Sequence, residues 1–238
     1  MEVVRLLDAD PDLAEALPEA ERRVARLALL APAVTLEPGD WAPRHNAEHA
    51  ADGRIGVLIV SGVICRELVI GKVASAELLG PGDVIRPWDR TADHALVPYS
   101  VRWQVLEQSH LALLGPRFSE TAARWPTLMS ALFARAARQS HALALSAAVA
   151  CTSGLETRLL MLFWQLADRW GRVTADGVVV PVALTQETVG RLVGARRPSV
   201  SSAMKQLERD GRLVRMQRGE WLLSGRRGDS EAIAAAVA

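Results

Sequence analysis

Arg196 and Arg197 are followed by Pro198, and then by Ser199, Ser201, Ser202, Lys205 and Gln206, interleaved with apolar Val200, Ala203, Met204 and Leu207. The apolar residues recur at three and four, so they share one face of a helix and leave the polar side chains mainly on the others. Pro198 suits the first turn of such a helix, where its missing N–H is no loss. An amphipathic helix that shows arginine, serines and a lysine carries the chemistry of nucleic-acid reading. Cations and hydroxyls bind phosphates, and an arginine bonds both acceptors of guanine. Two ordinary surface helices of an unrelated domain are the alternative, and the flanking residues argue against it.

The stretch from Leu184 to Leu213 predicts a first helix directly before this one. Thr185 serves as its cap, Gln186, Glu187 and Thr188 fill its first turn, and Val189, Leu192 and Val193 form its apolar stripe. Gly194 ends it, because glycine enters a left-handed cap without strain. Gly211 ends the second helix. Leu213–Met216, a turn at Gln217–Glu220 and Trp221–Leu223 then read as a short hairpin. Two helices followed by a hairpin make a winged helix-turn-helix.

Charge distribution supports that reading. The 238 residues carry a formal net charge of +1. Residues 185 to 228 hold ten Arg and Lys against four Asp and Glu, or +6, which leaves the remainder near −5. A basic module on a mildly acidic body is an electrostatic footprint for a polyanion. Cys65 and Cys151 imply neither a disulfide framework nor a metal-spaced cluster. The scattered histidines, His45, His49, His94, His110 and His141, select no metal site. No signal-peptide core and no membrane-spanning apolar run is present, so a cytoplasmic protein without membrane association is expected. No G-x-S-x-G, H-E-x-x-H or P-loop pattern occurs, so no enzyme is expected and no catalytic residue is assigned.

The elements that must position the basic helix follow in chain order. Residues 1 to 32 suggest short helices, one starting at Pro11 and one at Pro18, with Val24, Leu27 and Ala28 turned inward. From Ala33 to Leu114 the period changes to short strands separated by Gly-Pro-Asp turns at 37–40 and 80–83 and a turn at Gly71-Lys72. Strands are expected at Ile55–Val60, Val63–Val69, Val73–Leu79, Val84–Ile85, His94–Pro98, Val101–Gln108 and His110–Leu114, with residues 43–54 a polar loop. This predicts a small antiparallel roll or sandwich. A short helix at Arg117–Ala123 precedes a long one from Pro126 to about Ala150, rich in alanine. Leu128, Leu132, Phe133, Ala136, Leu143, Ala147 and Ala150 line one side of it, more apolar length than a small β domain covers. Pairing with a second copy along Leu128, Leu132, Ala136, Leu143 and Ala147 would bury it. Thr152 or Ser153, with Glu156 completing a capping box, starts a helix to Trp170. Its Phe163, Trp164 and Trp170 read as core. A hairpin at 172–180 follows.

This order resembles the Crp/Fnr family of bacterial transcription factors, typified by the cyclic-AMP receptor protein and the fumarate-nitrate regulator. The likeness covers nearly the whole chain. It is most specific at Leu184–Leu213 and moderate at Leu36-Glu37-Pro38-Gly39-Asp40 and Pro81-Gly82-Asp83-Val84-Ile85. It implies an α+β fold: a cyclic-nucleotide-binding-like antiparallel β-roll over 1–116, a linker with the long dimerisation helix over 117–151, and a winged helix-turn-helix over 152–230. The partners it implies are double-stranded DNA, a second copy of the chain and, for an activator, RNA polymerase.

The departures from the family are informative. Where nucleotide-binding members carry Gly-Glu for the ribose, this chain has Arg86-Pro87, and the Arg for the cyclic phosphate has no counterpart in the expected place. Desolvating a phosphate without such a partner is unfavourable, so cyclic AMP of the usual kind is not expected and no cofactor is assigned. Arg86, Trp88 and Arg90 form either a shortened solvated loop or the lining for another anion. The cysteine cluster of the oxygen-sensing branch is absent.

The family places three residues of the second helix on base edges, and the matching positions are Arg197, Pro198 and Ser202, with Ser201 between them. Pro198 replaces a frequent Glu and Ser202 an Arg, so the usual half-site code does not transfer. Ser199 is expected on phosphate at the positive end of the helix, Thr185 and Gln186 likewise at the start of the first helix. Lys205 reaches backbone or base, and Arg218 at the hairpin tip suits a phosphate beside the minor groove. The expected function is a homodimeric regulator of a near-palindromic site. The rivals are gating by an atypical effector in the roll, and an adaptor that has lost DNA binding.

Overall fold

A computed structural model describes residues 2–43, 54–88 and 96–224. The chain divides into two compact units, Met1–His141 and Ala142–Ala238.

The first unit opens with β1 (Val3–Arg5), followed by α1 (Leu6–Ala9), α2 (Pro11–Glu15) and α3 (Glu19–Ala28). Its strands are β2 (Leu30–Leu36), β3 (Gly39–Trp41), β4 (Gly56–Ser61), β5 (Ile64–Ile70), β6 (Val73–Leu79), β7 (Val84–Ile85), β8 (Ser100–Val105) and β9 (Ser109–Leu114). They form two antiparallel sheets, of order β1-β2-β9-β4-β7 and β3-β8-β5-β6. Two cores result. One packs Leu6, Leu7, Leu13, Leu17, Ala25 and Leu29 with Leu58 and Leu114 of the five-stranded sheet, and with Phe118 of α4 (Pro116–Ala122). The other, from strands of both sheets, gathers Val57, Ile59, Ile64, Leu79, Ile85, Trp103 and Leu111, with Trp41 and Trp88 against it.

Across the four-stranded sheet, Trp41 pairs in register with Trp103, Trp103 with Arg66, and Arg66 with Glu77. Residues directly opposite share a face, so these four side chains form one transverse row. The two indoles meet edge to face at 5.5 Å, the Arg66 guanidinium lies 5.6 Å from the Trp103 ring, and Arg66 is ion-paired to Glu77.

Four local expectations are corrected. Residues 3–5 pair as a strand with β2, which their β-branched valines favour. In α3 the buried residue is Ala25, while Val24 and Leu27 are 62% and 61% exposed. Ala25 and Leu29, four apart, make the inward stripe, and Val24 and Leu27 lie on the next one round. In the expected strand His94–Pro98, residues Leu96–Pro98 are not extended into a ladder, and His94 lies outside the described residues. The Ser153 capping box does not form. Gly154 is the N-cap of α6 (Leu155–Trp170), in the left-handed region with φ 81°, and no side chain caps the helix.

The long helix α5 spans Pro126–Cys151, 26 residues, or roughly 39 Å. Leu128 and Leu132 are buried in the core of the first unit, at 0% and 3% exposure, which corrects their assignment to a face between copies. Ala136, Leu143 and Ala147 are exposed, and Phe133 stands 76% exposed on the same side.

The second unit holds α6, β10 (Arg172–Thr174), β11 (Gly177–Val180), α7 (Gln186–Val193), α8 (Arg197–Arg209), β12 (Leu213–Arg215) and β13 (Trp221–Leu223). Its strands form one antiparallel sheet of order β10-β11-β13-β12. Phe163 of α6 is fully buried against Trp221, ring centroids 5.2 Å apart, while Trp164 and Trp170 are half-buried. Among the described residues no helix is long and apolar enough to cross a membrane.

Candidate nucleic-acid interface

The interface is built from local signals that the structure resolves one by one. Thr185 caps α7: its Oγ1 accepts the Thr188 N–H at 3.1 Å and meets the buried Thr188 hydroxyl at 2.9 Å. Gly194 closes the helix in the left-handed region, φ 65° and ψ 39°, with open space around it. The chain then folds back so tightly that the Ala195 N–H bonds the Gly190 carbonyl at 2.8 Å. A Cβ at Gly190 would stand 2.6 Å from the Ala195 carbonyl oxygen. The α7–α8 turn therefore requires glycine in the middle of α7, a close approach that sequence reading missed.

Helix α8 begins at Arg197 with Pro198 in its first turn and no side-chain cap. The N-cap side chain thus leaves the Arg197 and Ser199 N–H groups uncapped at the positive end of the helix dipole. Val200, Ala203, Met204 and Leu207 are 0 to 4% exposed. Arg197, Pro198, Ser199, Ser202 and Lys205 are exposed, and Ser201 is half-buried. The Ser202 hydroxyl donates to the Pro198 carbonyl at 3.3 Å, which leaves its oxygen lone pairs as acceptors toward a partner. Gln206 bonds Asp210 at 2.9 Å and is held along the helix.

The hairpin tip is the second feature. Arg218 adopts φ 62° and ψ 12°, the one non-glycine residue among those described with positive φ. Gly219 follows, where a Cβ would come within 2.9 Å of the Ala183 Cβ. The tip is fixed at its base by the Met216 N–H on the Glu220 carbonyl and by the Arg172–Glu220 ion pair at 2.8 Å.

In the first unit, Arg86 is exposed, and its Nη1 donates to the Arg54 and Ile55 carbonyls at 2.9 and 3.4 Å, with the guanidinium 5.9 Å from the Trp88 ring. Arg90 lies outside the described residues, as do His45 and His49. The described residues therefore bring together Arg86 and Trp88, engaged with each other and with backbone.

Residues 157–224 match the Crp-like helix-turn-helix domain. Over nearly its full length the chain is similar in fold to a mutant of CooA from Carboxydothermus hydrogenoformans, with 14% identity, 98% of this chain and 96% of that one covered, and a TM-score of 0.66. It is similar to FixK2 from Bradyrhizobium japonicum at 13% identity, coverage of 87% and 98%, and a TM-score of 0.63. A CRP-family transcriptional regulator from Thermus thermophilus aligns at 16% identity, coverage of 86% and 98%, and a TM-score of 0.59. The curated proteins contain no significant sequence match. The fold and the interface thus define a Crp-type helix-turn-helix protein. Residues 157–224 form a Crp-like helix-turn-helix domain, and the chain as a whole shares the fold of these solved structures.

Proposed function

We propose that the protein is a homodimeric, sequence-specific DNA-binding regulator of a near-palindromic site, not gated by cyclic AMP in the usual way. The observation that carries this reading is the two-sidedness of α8: one stripe is fully buried, and the opposite face offers Arg197, Ser199, Ser202 and Lys205 to a partner. Arg197 reads a guanine, Ser199 and the free N–H groups at the helix start take a phosphate, and Thr185, Gln186 and Arg218 hold the flanking backbone. The division of labour follows the three segments 1–116, 117–151 and 152–230.

Dimerisation is supported by the exposed stripe of α5. Phe133, Ser140 and Ala147 recur at seven, as do Ala136 and Leu143, the spacing of a two-helix seam. Independence from cyclic AMP is supported by Arg86-Pro87 at the ribose position and by an Arg86 guanidinium already bonded to two backbone carbonyls.

The test is Arg197→Ala against a selected DNA site. Specific binding falls by roughly 1–3 kcal/mol and one base position per half-site relaxes. Equal loss on all sequences would contradict the assigned role.

A further inference from the structure

We propose that Arg158 is the positioning residue of the DNA-reading unit, setting the phase of α8 without itself touching DNA. The proposal rests on the DNA-binding reading above. Arg158 lies in the first turns of α6, and its Nη1 donates to the Val193 carbonyl at 2.9 Å, in a part-buried site. Val193 is the last residue of α7 and is fully buried. Its carbonyl lies directly before the turn through Gly194 and Ala195, whose N–H is itself tied back to the Gly190 carbonyl, and so fixes the end of α7 from which Arg196 and Arg197 follow. A cation there also suits the negative end of the helix dipole, and a charged donor makes a strong, directional bond.

A second observation separates positioning from simple stabilisation. The Arg158 Nε is buried and has no hydrogen-bond acceptor among the described residues. Burying a guanidinium N–H unpaired is unfavourable, and an apolar side chain of similar length would avoid it. Methionine at 158 would remove that orphan donor and create one orphan acceptor, the Val193 carbonyl, so the stability balance is close to even. What methionine cannot supply is the tie between α6 and the end of α7. The arginine is the residue the site needs if the direction in which Arg197 and Ser199 point matters more than stability does.

The test uses the full-length protein as wild type, Arg158→Met and Arg158→Lys, with Arg197→Ala as comparator. Three quantities are measured: amide hydrogen exchange over residues 190–197 without DNA, affinity for a selected site and for random DNA across a salt series, and Tm. For Arg158→Met we expect Tm within about 4 °C of wild type. Exchange at 194–197 should rise. Affinity for the selected site should fall about tenfold, while random-DNA affinity and the salt slope stay unchanged. Arg158→Lys restores part of the specific affinity. Unchanged exchange in Arg158→Met overturns the proposal, and so does a parallel loss of specific and random binding with a large fall in Tm. A reduced salt slope would make Arg158 a phosphate contact, which also overturns it. If the wild type binds no DNA at any salt, the DNA-binding reading fails, and the exchange comparison still decides whether Arg158 holds the turn.

Discussion

The Arg135 guanidinium grips the Asp10 carboxylate with both terminal nitrogens, Nη2 donating to Oδ1 at 2.7 Å and Nη1 to Oδ2, and each residue is more than nine-tenths buried. Nη1 also donates to the Gly82 carbonyl at 3.1 Å, and Asp10 Oδ1 accepts the Leu13 N–H at 3.3 Å as the cap of α2. One ion pair thus ties together the long helix, the N-terminal helices and the Pro81-Gly82-Asp83 turn. Removing one member of a buried pair leaves an uncompensated charge. Arg135→Met should therefore cost roughly 3–5 kcal/mol in chemical denaturation. Combining it with Asp10→Asn, which keeps a side-chain oxygen for the α2 cap, should recover much of that loss. Additive losses in the double variant would show that the two residues act independently.

Gly190 and Gly194 should behave differently although both serve the same turn. At Gly190 an alanine Cβ would collide with backbone at 2.6 Å. Gly190→Ala should cost on the order of 1–3 kcal/mol and displace α8, with specific DNA binding lost more than random binding. Gly194 has open space but φ 65°. Gly194→Ala should cost only about 1–2 kcal/mol, as backbone strain, with binding largely kept. Thermal melts and titrations of both variants check the order.

Arg218 allows charge to be separated from backbone. Its left-handed conformation is one that glycine adopts freely. Arg218→Gly should therefore leave Tm equal or slightly higher while lowering affinity on all sequences alike. The slope of log affinity against log salt should shrink by about 1 for each arginine removed. An unchanged slope would mean that the hairpin tip does not meet phosphate.

Leu143→Glu places a charge in the exposed stripe of α5 proposed as the seam between copies, at a side chain that is 40% exposed and belongs to neither core of the first unit. Sedimentation should show a shift from dimer to monomer with little change in Tm of the monomer fold. Persistence of the wild-type association state would show that this stripe of α5 does not join two copies.

The second unit was legible because its signals are local. Thr185, Gly194, Pro198 and Gly219 each fix backbone within three or four residues of themselves, and the alternation of α8 settles which face is buried. The first unit was less so. That Val3–Arg5 is a strand depends on pairing with residues 30–32. That Val24 and Leu27 face out depends on which stripe of α3 meets α1 and α2. Leu128 and Leu132 belonged to the right periodic stripe but to the wrong neighbour, since periodicity reports a buried side without naming what covers it. The Asp10–Arg135 pair spans 125 positions and the Arg158–Val193 bond 35, and no pattern in a single sequence announces either.

DNA reading by α8 is tested most directly by selection from a random DNA pool with the purified protein, read by sequencing, with and without cyclic AMP, cyclic GMP and cyclic di-GMP. One near-palindromic motif is expected, with half-sites about one helical turn apart, enriched equally in every condition and relaxed at one position per half-site by Arg197→Ala. Absence of any motif would contradict DNA reading by α8, and a motif that appears only with one of the nucleotides would contradict independence from that effector.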